Sequence, residues 1–313
     1  MPFKRNPQVF SASVNEVTLG TGDKAVTIGG ANVMPLYSFD APLKYKAAIG
    51  VEISDLGVDK TLPELAAFYA GADTIGELAK RASEMPGADF IVLTFNGVDP
   101  GGLDRSIEEC ADLAKEVVTV VDCPVAFQGC KNIEKDAKLF EKLAEELQGR
   151  NVLFVSCREE NYKLLSAAAG IAYDQKLSAE SAVDINLAKQ LNVLISQIGV
   201  QPKNHVMNLG SAASGYGYEY VASTMDRVRS AALMQNDTML QMPIITPVAG
   251  EAWSVKEAVV SEEDIPEWGS REERGVQMEV STAAAALTGG SDALILRHPR
   301  TVETISRLIA ALM

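Results

Sequence analysis

The residues of this chain that could do chemistry are mostly amides, hydroxyls and backbone-exposing glycines that directly follow apolar segments. Few of them suit acid–base work, and their spacing contains no Ser/His/Asp or Cys/His arrangement typical of an activated nucleophile. We therefore predict a polar binding surface and no catalytic residue. The candidates are Ser54, Asp55, Asn96, Gly97, Gln128, Gly129, Ser156, Asp174, Gln175, Asn208, Gly210, Thr246, Glu251, Arg297 and His298.

Cysteines and histidines are the residues that would bind a transition metal. Cys110, Cys123, Cys130 and Cys157 are 13, 7 and 27 positions apart, which gives no CxxC pair and no cluster-binding run. There are only two histidines in the whole sequence. The composition thus predicts reduced structural thiols, no iron–sulfur cluster in this chain and no His-rich metal site.

The segment GSAASGYGYEY at 210–220 is a second candidate for ligand contact. Gly215 and Gly217 permit close approach of the backbone, and Tyr216 between them offers an apolar face with a polar tip. A helix-entry loop whose tyrosines pack inward explains the same residues, so both interpretations stay open. The segment matches neither GxGxxG nor a P-loop, which argues against nucleotide binding.

Two groups near the end of the chain also have a structural and a functional interpretation. Trp253 could anchor a partner or cap the hydrophobic core. Arg297, His298 and Arg300 form a small basic group in an acidic chain. They could pair with nearby carboxylates, or contact a phosphate or the amide-bearing edge of a ligand.

The elements that must position these residues follow a regular alternation. Helical patterns such as 107–121 and 133–149, with apolar residues three and four apart, lie between apolar segments of strand length. This α/β alternation predicts a parallel sheet, and eight units favour a (βα)8 TIM barrel, with its ligand site at the carboxyl ends of the strands, over an open doubly wound sheet. The predicted strands are 47–54, 89–95, 124–129, 151–156, 171–175, 205–210, 243–248 and 292–297.

The beginning of the chain does not fit this alternation. Two short alternating runs joined by TGD, at 15–30, predict a β-hairpin. The segment 34–46 contains two prolines and no sustained period, which predicts a loop. We therefore predict an N-terminal extension with a β-hairpin over residues 1–45, followed by the TIM barrel over residues 46–313.

Charge and hydropathy limit the partners and the location of the protein. The formal net charge is −14 and no basic block is present, so nucleic acid is excluded as a predicted partner. No apolar run reaches the ~18 to 20 residues that span a bilayer, and the first residues lack the apolar stretch of a signal peptide. The sequence predicts a soluble, cytoplasmic protein that does not bind membranes.

Several segments, in order along nearly the whole chain, resemble one family. They read IGGANVMPLYSFDAPLKYK, SGYGYEYVASTMDRVRSAAL, MPIITPVAGEAWSVKEA and EWGSREERGVQMEVSTAAAALTGGSDALILRHP. This combination resembles the small subunit of the corrinoid iron–sulfur protein, a relative of the delta subunit of acetyl-CoA decarbonylase/synthase. The resemblance implies a methyl carrier of the anaerobic acetyl-CoA (Wood–Ljungdahl) pathway.

The family resemblance also implies partners and a cofactor. The small subunit forms a heterodimer with a large subunit, which carries the iron–sulfur cluster, and a corrinoid (cobamide) is bound at their interface. The corrinoid takes a methyl group from methyltetrahydrofolate, with the help of a separate methyltransferase, and delivers it to acetyl-CoA synthase/CO dehydrogenase. This chain has no DxHxxG segment, the cobalamin-ligating signature of independent corrinoid domains.

By position, the resemblance implies that the loops at the barrel mouth face the corrinoid. Amides and hydroxyls there suit the peripheral amide groups of a corrin, and a barrel mouth can shield a reactive cobalt from water. The residues so assigned are Asn96, Asn208, Gly210, Ser211, Gly215, Tyr216, Gly217, Thr246, Glu251, Arg297 and His298.

Two other interpretations remain open. A pterin-dependent methyltetrahydrofolate:corrinoid methyltransferase has a related fold, and Asn96, Asp174 and Asn208 could hydrogen-bond a pterin ring. Alternatively, the barrel is a scaffold whose tyrosines and Trp253 anchor neighbouring subunits without contacting a ligand. Methyltetrahydrofolate binding by the isolated chain would favour the methyltransferase.

Overall fold

The computed structural model describes residues 6–313 as ten strands, eleven α-helices and several short 3₁₀ or π turns. The strands are β1 Glu16–Leu19, β2 Val26–Gly29, β3 Ala48–Ser54, β4 Phe90–Thr94, β5 Val125–Gln128, β6 Leu153–Cys157, β7 Lys176–Glu180, β8 His205–Asn208, β9 Ile245–Pro247 and β10 Ala293–Leu296. The helices are α1 Pro63–Phe68, α2 Ile75–Ser83, α3 Ile107–Val120, α4 Ile133–Glu146, α5 Tyr162–Leu165, α6 Ile185–Ile198, α7 Tyr218–Met234, α8 Val248–Ala252, α9 Lys256–Val259, α10 Arg271–Thr288 and α11 Pro299–Leu312.

Eight parallel strands form a nearly closed barrel, which confirms the predicted (βα)8 TIM barrel. Strands β3 to β8 pair in chain order, and β10 pairs with both β3 and β9. A parallel bridge between Met207 and Ile244 links β8 to the start of the β9 segment. Every strand is covered by helices outside, so the sheet is buried on both faces, as parallel sheets require.

Local sequence signals explain where the long helices begin and end. Ser106 accepts the backbone N–H of Glu109 at 3.2 Å and Glu109 accepts that of Ser106 at 3.0 Å, a capping box that starts α3. Asp184 caps the first turn of α6, and Gly199 ends that helix in a left-handed conformation. The observed bounds of α3 and α4 lie within the predicted helices 107–121 and 133–149.

The fifth barrel strand is not where the sequence suggested. Segment 171–175 was predicted as a strand, but Ser166–Ala172 forms a π-helical turn and β7 begins at Lys176. The sequence KLSAE was not predicted as a strand because it carries two charged residues. In the folded protein both of them have polar or charged partners. Lys176 Nζ donates to Asn204 Oδ1 at 2.6 Å, and Glu180 pairs with Arg158. The prediction for 171–175 was therefore wrong.

The predicted β-hairpin is present and closes the amino end of the barrel. Val17, Leu19 and Ile28 are at most 1% exposed and belong to one apolar cluster with inward-facing barrel residues such as Phe90 and Leu153. The hairpin therefore shares a core with the barrel. The division into an extension of residues 1–45 and a barrel of residues 46–313 stays a prediction, and residues 1–5 lie outside the described range.

Helices in the described range 6–313 are all too short or too polar to span a membrane.

Candidate functional site

A cavity of about 420 Å³ lies at the carboxyl ends of the barrel strands. Its wall includes the last residues of three strands, Gln128, Glu180 and Asn208, together with the loops that follow them. Polar side chains dominate this wall. The cavity is therefore the mouth of the barrel, the position where a (βα)8 fold assembles its ligand site.

An ion pair forms part of the cavity floor. Glu52, on β3, is 7% exposed and accepts hydrogen bonds from Thr94 Oγ1 at 2.9 Å and from Arg297 Nη2 at 2.9 Å. Burial alone would lower the pKa of Arg297, but the charges of Glu52 and Glu279 outweigh it and raise that pKa above its ordinary value. Arg297 is thus held at the mouth as a permanent, already paired cation.

A second pair joins neighbouring strands on the other side of the mouth. Arg158 follows β6 and donates from Nη2 to Glu180 Oε1, at the end of β7, over 2.8 Å. The backbone N–H of Arg158 donates to Asn161 Oδ1 at 2.7 Å, which fixes the start of the loop. Both side chains of the pair remain about one-quarter to one-fifth exposed toward the mouth (26% and 20%).

A third pair spans the mouth. Lys131 follows β5 and Glu251 lies on α8 after β9, and these strands stand opposite each other in the ring; the two charged groups approach to 3.6 Å. Asp136 accepts the N–H groups of Cys130 and Lys131, both at 2.9 Å, and thereby holds the β5–α4 loop. Burial raises the pKa of Asp136 and outweighs these hydrogen bonds, which lower it.

Nine of the residues predicted for the barrel mouth line this cavity. Asn96 Nδ2 donates to Ser54 Oγ at 2.9 Å, and Asn208 Oδ1 accepts the N–H of Gly210 at 3.0 Å. The Ser211 hydroxyl oxygen is buried, and within residues 6–313 no group hydrogen-bonds to it. The predicted residues that line the cavity are Asn96, Gln128, Gly129, Ser156, Asn208, Gly210, Ser211, Glu251 and Arg297.

Other assigned residues lie outside the cavity wall. Gly215, Tyr216 and Gly217 lie farther along the β8–α7 loop, where Tyr216 is 48% exposed and its hydroxyl donates to Glu257 Oε2 at 2.6 Å. Thr246 is fully buried and shares a 2.8 Å hydrogen bond with Ser291. Tyr216 and Thr246 thus contact other parts of the protein, and contact of all four positions with a ligand stays a prediction.

His298 is fully buried behind the mouth. Its Nδ1 accepts the N–H of Arg300 at 3.2 Å and caps α11, so Nε2 carries the hydrogen and donates to Glu272 Oε1 at 3.1 Å. The ring also stacks on Trp253 at 5.8 Å. Trp253 is itself 7% exposed, which selects the core-capping interpretation for that residue.

Two candidates lie at the amino end of the barrel, because β7 begins after them and not before them. Asp174 and Gln175 precede β7 instead of following it. Gln175 is fully buried and bridges backbone groups, donating to Leu147 O at 3.0 Å and accepting the N–H of Val152 at 2.7 Å. Their expected place at the barrel mouth was therefore wrong.

Sequence reasoning missed several charged residues of the cavity wall. Glu52 and Glu180 were overlooked because the first lies inside an apolar strand and the second lies on the misplaced one. A usable signal existed for Glu52, since a lone carboxylate near the end of a buried strand needs a partner. The lining residues not predicted include Glu52, Thr94, Lys131, Asp136, Arg158 and Glu180.

A parallel barrel with a polar cavity at its carboxyl end defines a (βα)8 barrel protein. Solved structures with the same fold include dihydropteroate synthase from Vibrio fischeri ES114, with a TM-score of 0.57, 10% identity and coverage of 94% of this chain and 97% of that one. The Xanthomonas albilineans dihydropteroate synthase with 4-aminobenzoic acid has a TM-score of 0.53 and 12% identity, covering 95% and 98%. At such identities the likeness shows the fold alone.

The sequence identifies the family. The model of the family described as CO dehydrogenase/acetyl-CoA synthase delta subunit matches residues 16–308. The chain is 31% identical over 301 residues to the acetyl-CoA decarbonylase/synthase complex subunit delta 1 of Methanosarcina thermophila, covering 94% of this chain and 67% of that protein. It is 29% identical over 323 residues to the delta subunit of Archaeoglobus fulgidus, covering 99% and 71%. The chain belongs to the CO dehydrogenase/acetyl-CoA synthase delta subunit family.

Proposed function

We propose that this chain is the small subunit of a corrinoid methyl carrier that serves acetyl-CoA synthesis. The barrel mouth faces a corrinoid held together with a large subunit, and the carrier accepts a methyl group from methyltetrahydrofolate and delivers it to acetyl-CoA synthase. Family membership supports the pathway. The observation that carries the role of this chain is the polar cavity at the mouth of the barrel.

The side chains at the mouth fit the periphery of a corrinoid better than its metal. Neutral hydrogen-bonding groups, among them Asn96, Asn208 and Ser211, suit the amide side chains of a corrin ring. Both histidines are fully buried and, within the described range 6–313, neither lines the cavity. When bound, the corrinoid supplies the methyl-carrying chemistry; these residues hold and orient its edge and limit the access of water.

Exposed apolar side chains at the same end of the barrel support a docking role. Leu56 and Leu103 lie on the loops after β3 and β4, and Tyr220 lies in the first turn of α7 after β8; they are 57%, 67% and 68% exposed. We call these three residues the rim. Tyrosine is enriched among the residues that anchor protein–protein interfaces, where exposed leucines add apolar contact area. We assign the rim to the large subunit, with the methyltransferase and acetyl-CoA synthase/CO dehydrogenase reaching the corrinoid during turnover.

Anaerobic co-expression with a candidate large subunit tests this function. We expect a corrinoid absorption spectrum in the purified complex, and no corrinoid on this chain alone. Asn208→Ala should lower the amount of corrinoid retained several-fold without weakening subunit association. The matched change Asn186→Ala, at an exposed position on α6, should leave the amount of retained corrinoid unchanged. Equal corrinoid retention by the large subunit with and without this chain would overturn the proposal.

The methyltransferase alternative has lost one of its three pterin-binding residues, because Asp174 lies at the far end of the barrel. Asn96 and Asn208 remain at the mouth. Its test is direct: micromolar binding of methyltetrahydrofolate by the isolated chain would replace the carrier interpretation.

A further inference from the structure

The charges of the mouth cavity cancel within pairs. In the described part of the chain each lining cation has a carboxylate partner, and the remaining lining carboxylate, Asp136, accepts two backbone N–H groups. The pairs are Arg297 with Glu52 at 2.9 Å, Arg158 with Glu180 at 2.8 Å and Lys131 with Glu251 at 3.6 Å. An anion that entered would therefore meet a carboxylate beside every cation.

This arrangement differs from the phosphate site common in (βα)8 barrels. That site is usually built by the loops after the seventh and eighth strands. Here those strands are β9 and β10, and the loops that follow them bring Glu251 and Arg297 to the cavity. Glu251 repels phosphate, and Arg297 is already engaged by Glu52 through both Nε and Nη2.

Neutral polar groups are what the wall leaves available to a ligand. The Ser211 hydroxyl has no hydrogen-bond partner within residues 6–313, and it can donate or accept. The amides of Asn96 and Asn208 line the same cavity, and Asn208 is 2% exposed. A buried hydroxyl is costly to leave unpaired, so it suits a ligand that brings its own hydrogen-bonding edge.

We propose that Glu52 and Glu180 are specificity-determining residues. By neutralising Arg297 and Arg158 they make the cavity accept uncharged amide or lactam groups and reject a phosphate group placed inside it. The proposal rests on the ligand-binding role proposed for the mouth, and it does not depend on which large molecule carries the amide.

Pyrophosphate binding to the full chain, measured by isothermal titration calorimetry, tests the role of the carboxylates. Glu180→Gln frees Arg158, whose charge-assisted hydrogen bonds should then tighten pyrophosphate binding about tenfold or more over wild type. Glu257→Gln is the matched control: it removes one negative charge, that of the carboxylate bonded to Tyr216, outside the cavity wall. The double variant R158Q/E180Q should lose the gained binding.

Equal pyrophosphate binding by wild type and Glu180→Gln, or a gain that the control shares, would overturn the proposal. So would the absence of any gain in a variant whose circular dichroism shows it folded. If Glu180→Gln does not fold, Glu52→Gln frees Arg297 and takes its place. Wild-type protein gives an independent readout by saturation-transfer NMR: contact with propionamide is required, and a stronger signal from propionate contradicts the inference. These measurements need no corrinoid or partner, so they fail or succeed separately from the proposed carrier function.

Discussion

Buried carboxylates in this barrel hold backbone in place behind the mouth. Glu279, fully buried on α10, accepts the N–H groups of Arg297 at 2.6 Å and His298 at 3.2 Å. Glu272, about two turns earlier on the same helix, accepts two N–H groups from the first residues of α1, both at 2.9 Å. Helix α10 thus fixes the end of β10 and the start of α1 around the site.

Replacing Glu272 with Gln should lower the free energy of unfolding at pH 7 by about 1–3 kcal/mol, because an amide accepts fewer of these hydrogen bonds. Burial alone would raise the pKa of Glu272, but the N–H groups of Glu64 and Leu65 and the bond from His298 outweigh it and lower that pKa. A lowered folded-state pKa gives stability that is present above the ordinary value of 4.5 and is lost as pH falls through the folded value.

Denaturant unfolding at pH 7 and in steps below pH 4.5 measures this effect. The stability gap between wild type and Glu272→Gln should narrow as the pH falls. Glu267→Gln, on an exposed segment, serves as the control. The difference in unfolding free energy between this variant and wild type should stay the same at every pH. A gap that is the same at every pH would show that Glu272 acts through packing and not through its charge.

Two glycines that line the cavity differ in the space around them. A Cβ added at Gly129 would lie 2.2 Å from Asp136 Cγ, whereas at Gly250 nothing lies within 4 Å. Gly129→Ala should destabilise the fold by about 1–3 kcal/mol, because the crowded carboxylate must release the loop that carries Lys131. Gly250→Ala should be neutral or slightly stabilising in helix α8. Thermal unfolding of the two variants compares them, and equal melting temperatures would contradict the crowding.

At the residue scale, the rule that strand ends form the mouth was enough to find Asn96, Asn208 and Arg297. It could not find the pairing of Arg297 with Glu52, because the two residues are 245 positions apart and meet only through the β3–β10 register. His298 was assigned to the mouth because it follows Arg297 directly. Successive side chains near a strand end point to opposite faces, and His298 points away from the cavity.

At the scale of elements, hydropathy located seven of the eight barrel strands and misplaced β7. Strand prediction rewards apolar and β-branched residues, and IAYDQ has them while KLSAE does not. Lys176 and Glu180 are tolerated in β7 because Asn204 and Arg158, from other elements, pair with them. Such compensation is a property of the assembled fold, so no local pattern reports it.

The hairpin makes a second prediction at this scale. The Ile28 side chain packs against the barrel core and is 0% exposed to solvent. Ile28→Ala should therefore lower the free energy of unfolding by about 2–5 kcal/mol. Thr27→Ala is the control, since Thr27 faces outward and shares only a 2.8 Å hydrogen bond with Thr18. If hairpin and barrel unfold together, fluorescence and circular dichroism should give one coincident transition at a lower denaturant concentration. Separate transitions would mean that the hairpin is an independent unit.

At the scale of the whole molecule, both ends of the barrel carry exposed apolar side chains, but only those at the carboxyl end share that end with the polar cavity. The rim residues lie after strands β3, β4 and β8, at the carboxyl end that also holds the polar cavity, whereas Ile171, 49% exposed, lies in the turn before β7 at the amino end. The net charge of −14 opposes association with acidic surfaces, so the docking proposed for the rim would depend on local apolar contact. Leu103 at the carboxyl end and Ile171 at the amino end are both exposed aliphatic residues, so the same substitution can be compared at the two ends.

Leu103→Asp should weaken association with the proposed large subunit about tenfold or more, because a carboxylate would be desolvated where an apolar contact is expected. Ile171→Asp changes the net charge of the chain by the same amount, but at the opposite end of the barrel, and should leave the affinity unchanged. Both positions are exposed, so neither variant should alter the thermal stability of the isolated chain. Sedimentation velocity of the mixed subunits measures the affinities; a loss confined to Ile171→Asp would place the partner at the hairpin end of the barrel and remove the mouth from the interface.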